Sequence, residues 1–459
     1  MRPGLVKHVL FPLHERLVGR RTPRFVHELE WSQWASPDEL RELQRVKLAT
    51  LLGHAYDVSS FHRRRIDEAG ADPRNPDGFE MLRALPTLDK AGISRSIDEM
   101  IWRGAPGGVF ESHTGGSSGE PLRFFVDRRR QAYDQAARIR THRWFGVDLG
   151  QRELYLWGSP IERRRTDTLR RWRDALFNHR LLDAFHMSCS RMDAYLDAWD
   201  AFRPACLFGY PSSIAMLTRR ARTVGRKLDR RRLKAIFVTG EVCYPHDRKT
   251  IEEYFEVPVA DGYGSREAGF IAHQCTEGRM HVMAENVVLE IFTGDRPAPP
   301  GESGEIVVTH LDAYAMPMIR YRTGDVGRLL PQRCLCGRGL PLMDVIAGRT
   351  TDFLCTPDGD VKHALSIIYP LRETRGIRQF RVVQHENFAV TIDVVCDDRA
   401  ATVTRESIER SVRPIVGEDV SLSVRYVASI PQIGSGKFRY VESRAIPAST
   451  NVTRESPHA

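Results

Sequence analysis

Five separated stretches of the chain carry residue types that could handle phosphate, sugar hydroxyls and a hard cation. The first is Ser112-His113-Thr114-Gly115-Gly116-Ser117-Ser118-Gly119-Glu120-Pro121. Its glycines let backbone approach an anion closely, and consecutive N–H groups with the hydroxyls of Thr114, Ser117 and Ser118 offer donors to phosphate oxygens. The Gly-Lys-Ser/Thr ending of a Walker A loop is absent, and a run of this composition is also what a flexible loop looks like. The second stretch, Asp261-Gly262-Tyr263-Gly264-Ser265-Arg266-Glu267, supplies a flat aromatic face for a base and a carboxylate for magnesium, which takes oxygen ligands and keeps several waters. In the third, Tyr321-Arg322-Thr323-Gly324-Asp325, a carboxylate follows a Gly turn and suits a ribose diol. The fourth is the short Thr239-Gly240-Glu241. The fifth, Ile433-Gly434-Ser435-Gly436-Lys437, puts a lysine on a flexible turn as a mobile cation.

A second kind of chemistry is written in the cysteines. Eight in 459 residues are too sparse for a disulfide scaffold and point to a reducing compartment. Cys189, Cys206, Cys243, Cys355 and Cys396 stand singly in mostly apolar sequence and read as buried, inert thiols. Cys275, Cys334 and Cys336 group with an imidazole into a Cys3His set suited to structural zinc. His281 is the preferred fourth ligand and His273 the competitor.

These groups need a scaffold. With 41% hydrophobic and 28% charged residues the chain is long enough for two or three domains, and disorder is excluded. No apolar run approaches the ~20 residues that cross a bilayer. A cytoplasmic location is therefore expected. The net charge of +9 lies in short arginine runs such as Arg128 to Arg130 and Arg230 to Arg232. No nucleic-acid-binding fingerprint accompanies them, and they read as solvated helix faces. Residues 1 to about 105 alternate helices and loops, one helix opening at Ser36-Pro37-Asp38-Glu39 as a capping box. Its Leu40, Leu43, Val46, Leu48, Leu51 and Leu52 form the expected buried stripe. Between about 150 and 310, β-like runs such as Leu154 to Trp157 and Ala235 to Val238 alternate with helical stretches, which argues an α/β core with parallel pairing. Near Gly348 the pattern changes to a small α+β unit with strands at 379–384, 388–395 and 421–427 and a helix at 405–416. The expected division is 1–348, 349–446 and a loose tail, 447–459.

The ordered set of motifs resembles the adenylate-forming enzymes of the acyl-CoA synthetase superfamily, most closely the phenylacetate-CoA ligase-like (CapK-like) branch, over roughly residues 105 to 440. The resemblance implies an α/β fold with a large N-terminal domain and a small mobile C-terminal α+β domain. It implies that Thr114 to Pro121 hold ATP phosphates, that Tyr263 and Gly264 meet adenine, and that Glu267 binds Mg2+. Gly240 and Glu241 correspond to the adenine-side element, Tyr321 to Asp325 to the ribose motif, Gly348-Arg349 with Asp352 to the hinge, and Lys437 to the catalytic lysine. A zinc site near the nucleotide motifs is likewise a feature of that branch. Two departures stand out: Glu120 replaces a common lysine, and Arg266 replaces the Ser or Thr before the magnesium glutamate. Arg266 could supply a charge-assisted contact to the α-phosphate in place of the hydroxyl. The implied activity is activation of a carboxylic acid, aryl by family weighting, as acyl-adenylate, followed by transfer to coenzyme A. Two alternatives remain: an adenylyltransferase or amide-forming ligase, and an inactive zinc-containing interaction protein. Trp157, Phe208 and Tyr210 line the acid pocket or pack the core, and His113 touches substrate or is solvated. A homodimer and peripheral membrane contact through the basic amphipathic start, Leu5 to Arg21, complete the expectations.

Overall fold

The structure, a computed structural model, describes residues 1–114, 122–158, 167–185, 187–347, 353–357, 361–363, 365–374, 376–396, 405–430 and 441–445. Gly115 to Gly119, the hinge at Gly348, Arg349 and Asp352, the segment bearing Lys437, and the tail lie outside the described residues.

The first hundred residues are helical. Ser36 accepts from the Glu39 N–H while Glu39 accepts from the Ser36 N–H, and Pro37 occupies the first turn, so the helix Pro37–Val58 starts where its capping box dictates. Leu48, Leu51 and Leu52 are buried with Met81, Leu311 and Ile319. Leu43 and Val46 are 36% and 49% exposed, against expectation. They lie about 140–160° around the helix from Leu48, on the face that meets water.

In chain order the strands are β1 (Val109–His113), β2 (Arg123–Asp127), β3 (Glu153–Trp157), β4 (His179–Asp183), β5 (Cys206–Gly209), β6 (Ala235–Thr239) and β7 (Val259–Ser265). There follow β8 (Gly269–Gln274), β9 (Met280–Val282), β10 (Val287–Thr293), β11 (Arg296–Pro297), β12 (Gly304–His310), β13 (Tyr321–Leu330) and β14 (Leu342–Ala347). Strands β1 and β2 form a hairpin. The rest build one sheet in the order β11-β10-β12-β13-β14-β9-β8-β7-β6-β5-β3-β4. The pairs β3–β4, β3–β5, β5–β6 and β6–β7 are parallel, and from β7–β8 onward the pairing is antiparallel. Parallel pairing therefore covers less of the sheet than the β/α alternation suggests. Helices Cys189–Phe202, Pro211–Thr223 and Pro245–Phe255 cover one face of the parallel half around Leu154, Leu207, Ile236 and Trp199. Helix Arg128–Arg143 covers the other.

Beyond residue 352 come β15 (Phe353–Cys355), β16 (Val361–His363), β17 (Ile377–Gln384), β18 (Val390–Cys396), β19 (Leu422–Tyr426) and β20 (Val441–Ser443). A separate four-stranded sheet, β19-β18-β17-β20, packs its own core of Val382, Ile392, Val394, Ile367, Ile408 and Val412 under helices Leu365–Glu373 and Arg405–Val416. The change of pattern near Gly348 thus marks the passage from the large sheet to a small C-terminal α+β domain.

Candidate active site and metal centre

In open α/β sheets ligands bind beyond the carboxyl ends of the parallel strands. Trp157, Gly209, Thr239 and Gly262-Tyr263 lie at that rim in register, through Leu156↔Gly209, Gly209↔Val238 and Thr239↔Gly262. Three of the sequence motifs end there. Gly240 has a φ of +84°, and a Cβ on it would stand 3.1 Å from Tyr210 and 3.3 Å from Trp157, so both conformation and space require glycine. The rings of Trp157 and Tyr210 stack at 4.0 Å. Glu241 accepts from the Ser212 hydroxyl, which joins the start of helix Pro211–Thr223 to the Thr239 to Glu241 stretch.

The turn between β7 and β8 carries Arg266 and Glu267. Glu267 is 2% exposed, and Tyr321 donates its phenolic O–H to it at 3.1 Å. Tyr263 donates to Asp325 at 3.0 Å, and the Asp325 N–H is held by the Thr323 hydroxyl at 3.1 Å. Two tyrosine–carboxylate pairs therefore fasten the aromatic-Gly-x-x-Glu stretch to the start of β13. Sequence reasoning named all four motif residues but not the Tyr321–Glu267 pairing, which depends on where β13 lies in the sheet. The Arg130 guanidinium holds the Arg266 carbonyl at 2.7 Å, and the Arg266 side chain reaches the His113 carbonyl at 3.4 Å. That places it at the entrance to the 115–121 loop. Thr114, 1% exposed, exchanges two bonds with Leu122: its N–H donates to the Leu122 carbonyl and its hydroxyl accepts from the Leu122 N–H, both at 2.9 Å. The threonine thereby joins the two residues that border 115–121. His113 is half-exposed, its ring 3.3 Å from Glu111.

Asp261, behind this rim, is half-buried near Arg248, and desolvation pushes its carboxyl up to about 7 despite the arginine.

At the other end of the same hairpin, Cys275, His281, Cys334 and Cys336 bring their ligating atoms within 4.8 Å of one another. The Sγ atoms of Cys275 and Cys334 are 3.7 Å apart, and Cys336 Sγ is 3.3 Å from His281 Nε2. Tetrahedral zinc with bonds of about 2.3 Å to sulfur and 2.0 Å to nitrogen requires separations of about 3.8 and 3.5 Å, so the residues fit the ion. His281 Nδ1 lies 3.1 Å from the Leu340 carbonyl, which leaves Nε2 for a metal. Burial lowers the His281 imidazole to about 4, so it is neutral and able to ligate. His273, the competitor, is tied through Nδ1 to the Gln274 carbonyl at 2.7 Å and lies outside the group.

Of the single cysteines, Cys206 departs from the expected apolar setting. It is fully buried, but within ligand distance of His142 and Glu153. The strand alternation that turns Leu154 and Leu156 to one core and Glu153 to the opposite face was the available signal.

Comparison with known proteins bears on the fold. Structures of 2-hydroxyisobutyryl-CoA ligase align at TM-scores of 0.56 and 0.58 with 19% identity, the latter over 89% of this chain and 90% of that one. The fold is that of the adenylate-forming acyl-CoA ligases. Within that class, the chain is 25% identical over 445 residues to the phenylacetate-coenzyme A ligase of Thermus thermophilus, covering 88% of this chain and 96% of the relative. It is 27% identical over 340 residues to the Escherichia coli K12 enzyme of that name, covering 71% and 75%. Residues 354–444 match the CapK C-terminal domain.

Proposed function

We propose that the chain activates a carboxylic acid with ATP as an acyl-adenylate and passes the acyl group to coenzyme A. The observation that carries this reading is the fastening of Tyr263 to Asp325 and of Glu267 to Tyr321 at the carboxyl rim of the parallel strands. An aromatic face, a carboxylate suited to a diol and a buried carboxylate suited to a cation side by side support this reading. In the reaction a carboxylate oxygen bonds to the α-phosphorus and the bond to pyrophosphate breaks. The thiol sulfur of coenzyme A then bonds to the acyl carbon, and AMP leaves with the electron pair of the broken C–O bond. Such chemistry needs positioning and charge neutralisation rather than covalent help. Glu267 would hold Mg2+, which neutralises phosphate charge when bound. Arg266, whose side chain reaches the His113 carbonyl, would contact an α-phosphate oxygen, Thr114 would anchor the phosphate-binding stretch, and Lys437 would supply the mobile cation. The 349–446 unit would turn about Arg349 between the two steps. Zinc at Cys275, His281, Cys334 and Cys336 is structural, since four protein ligands leave no open position.

The test is pyrophosphate exchange and mass spectrometry with ATP, coenzyme A and a panel of acids. Acyl-CoA with AMP is the expected product, whereas a lasting AMP adduct or an amide would favour the adenylyltransferase or amide-ligase alternative. Lys437→Ala should abolish adenylate formation yet spare thioester formation from preformed acyl-adenylate.

One further observation favours peripheral membrane contact. The first helical stretch exposes Leu5, Val9, Leu13 and Leu17 at four-residue spacing, with exposed Arg16 within it and exposed Arg2 and Arg21 flanking it. A basic amphipathic helix of this kind suits an anionic lipid surface. Among the described residues no helix is long and apolar enough to cross a membrane. Flotation with anionic vesicles should carry the intact chain, and the two carboxylates introduced by Val9→Glu and Leu13→Glu should release it.

A further inference from the structure

A cavity of about 360 Å³ lies on the helix Arg128–Arg143 side of the sheet, along β3 from Glu153 to Trp157. Its upper end is Trp157, the ring that stacks on Tyr210 beside Gly240. One wall is aromatic, facing a lining that also includes Glu15, Arg20, Asp148, Arg173 and Asp174: Phe208 lies 5.5 Å from Trp157 and 5.6 Å from Tyr155, and His179 lies 5.4 Å from Tyr155, ring centre to ring centre. Val6, Phe11 and His14 of the first helical stretch close another side, and Leu181, 45% exposed, stands at the margin.

The lower end is polar, although it is buried. Glu153 is 5% exposed and accepts from the Tyr155 hydroxyl at 2.6 Å. Arg138 donates to the Tyr155 oxygen at 3.0 Å and lies 3.8 Å from Glu153 Oε2. The other carboxylate oxygen, Oε1, faces the His179 ring nitrogen at 3.9 Å, beyond hydrogen-bond reach. His142 is 4% exposed, and its Nε2 is buried with no hydrogen-bond partner. Burying the His142 Nε2 without a partner costs stability, and a ligand that bonds to it would remove that cost.

A metal is one candidate, because His142, Glu153 and Cys206 have ligating atoms within 4.8 Å of one another. Arg138 argues against it: a guanidinium already neutralises the carboxylate, and a second cation beside it would be repelled. The aromatic wall argues for a flat organic ligand instead. Resting on the acid-activation reading above, we propose that this cavity receives the acyl part of the acid. The acid is an elongated aromatic one with a hydroxyl or amino group remote from its carboxylate, and Glu153 Oε1 and His142 Nε2 recognise that group. Four steps along the strand take Glu153 to Trp157, about 13 Å. A single ring anchored at the rim falls short of Glu153, whereas a two-ring acid spans the distance.

The experiment measures pyrophosphate release by the full chain with Mg·ATP for 4′-hydroxybiphenyl-4-carboxylate, biphenyl-4-carboxylate, benzoate and acetate. The hydroxylated acid should exceed its unsubstituted partner by about tenfold in kcat/KM, the discrimination one charge-assisted hydrogen bond provides. Glu153→Gln should reduce that preference to about threefold or less. Phe208→Trp, which narrows the cavity without altering a charge, should raise KM for the biphenyl acids more than for benzoate. Equal efficiency for the paired acids, or a preference that survives Glu153→Gln, would overturn the proposal. Release from benzoate or acetate but from neither biphenyl acid would also overturn it while leaving acid activation standing; no release from any acid would remove both.

Discussion

The two ends of the β7–β8 hairpin do opposite work with the same backbone. At its turn, Glu267 accepts from the Tyr321 hydroxyl and Tyr263 reaches Asp325, so the rim consists of oxygens and rings that, on the proposed reading, admit and release a nucleotide. At its open end, Cys275 joins His281 on β9 and Cys334 and Cys336 on the β13–β14 connection, in a closed set with room for one ion and nothing else. Both ends draw on β8 and on β13 or its continuation, which are separated in the sheet by β9 and β14. A tetrahedral ion would therefore tie together the strands that present Tyr263, Glu267, Tyr321 and Asp325. The difference teaches a division of labour: soft ligands fix the frame, and hard ligands at the far end stay available for chemistry.

The sharpest break of that comparison is a pair of substitutions. Glu267→Gln should lower acid-dependent pyrophosphate exchange by on the order of 10²–10³, the cost of losing a charge aligned with the reacting phosphates, with a melting temperature close to that of the parent. Cys334→Ser should do the reverse, lowering the melting temperature by on the order of 10 °C and releasing zinc, while the protein that stays folded keeps its KM for ATP. Metal analysis, thermal melts and exchange assays on both variants check this. If Cys334→Ser lost activity with no loss of stability, the division of labour would be wrong.

The same contrast explains what the sequence disclosed. Cys275, His281, Cys334 and Cys336 were legible because thiols and imidazoles are rare and their grouping has few other uses. The motifs around Tyr263, Glu267 and Asp325 were legible as an ordered set, and the Ser36 capping box as local chemistry. Contacts across the sheet were not: the Tyr321–Glu267 bond, the cage around Glu153 and the exposed setting of Leu43 and Val46 follow from strand order and helix orientation, which residue spacing does not encode. The antiparallel half of the sheet was hidden for the same reason, since nothing in the spacing of residues in β10, β12 and β13 declares their neighbours.

A milder probe separates the two carboxylates of the rim. Tyr321→Phe removes the donor to Glu267 and leaves a buried carboxylate one hydrogen bond short, at a cost of about 1–3 kcal/mol. Tyr263→Phe removes the phenolic donor to Asp325, which is nearer the surface. The first should reduce exchange by about tenfold through kcat, and the second should act mainly on KM for ATP. Steady-state exchange at varied ATP distinguishes them. Equal effects would mean that Glu267 and Asp325 are not specialised as cation and diol ligands.

The smallest effect concerns Asp261, which supports the hairpin from behind. Its carboxyl titrates near 7 in the folded chain against 3.8 ordinarily, because burial outweighs the attraction of Arg248. Between those values the unfolded chain has lost the proton that the folded chain keeps, so ν of the unfolded state is the smaller and stability falls as pH rises. The penalty is absent below about pH 4 and complete above about pH 7. Asp261→Asn removes the titration and should flatten this part of the stability curve, raising the melting temperature at about pH 8 relative to the parent while leaving it nearly unchanged at about pH 4. Thermal melts across that range measure it. A parent curve that rises with pH over the same interval would show instead that Arg248 wins over burial, and that the frame behind the site is held by an ion pair.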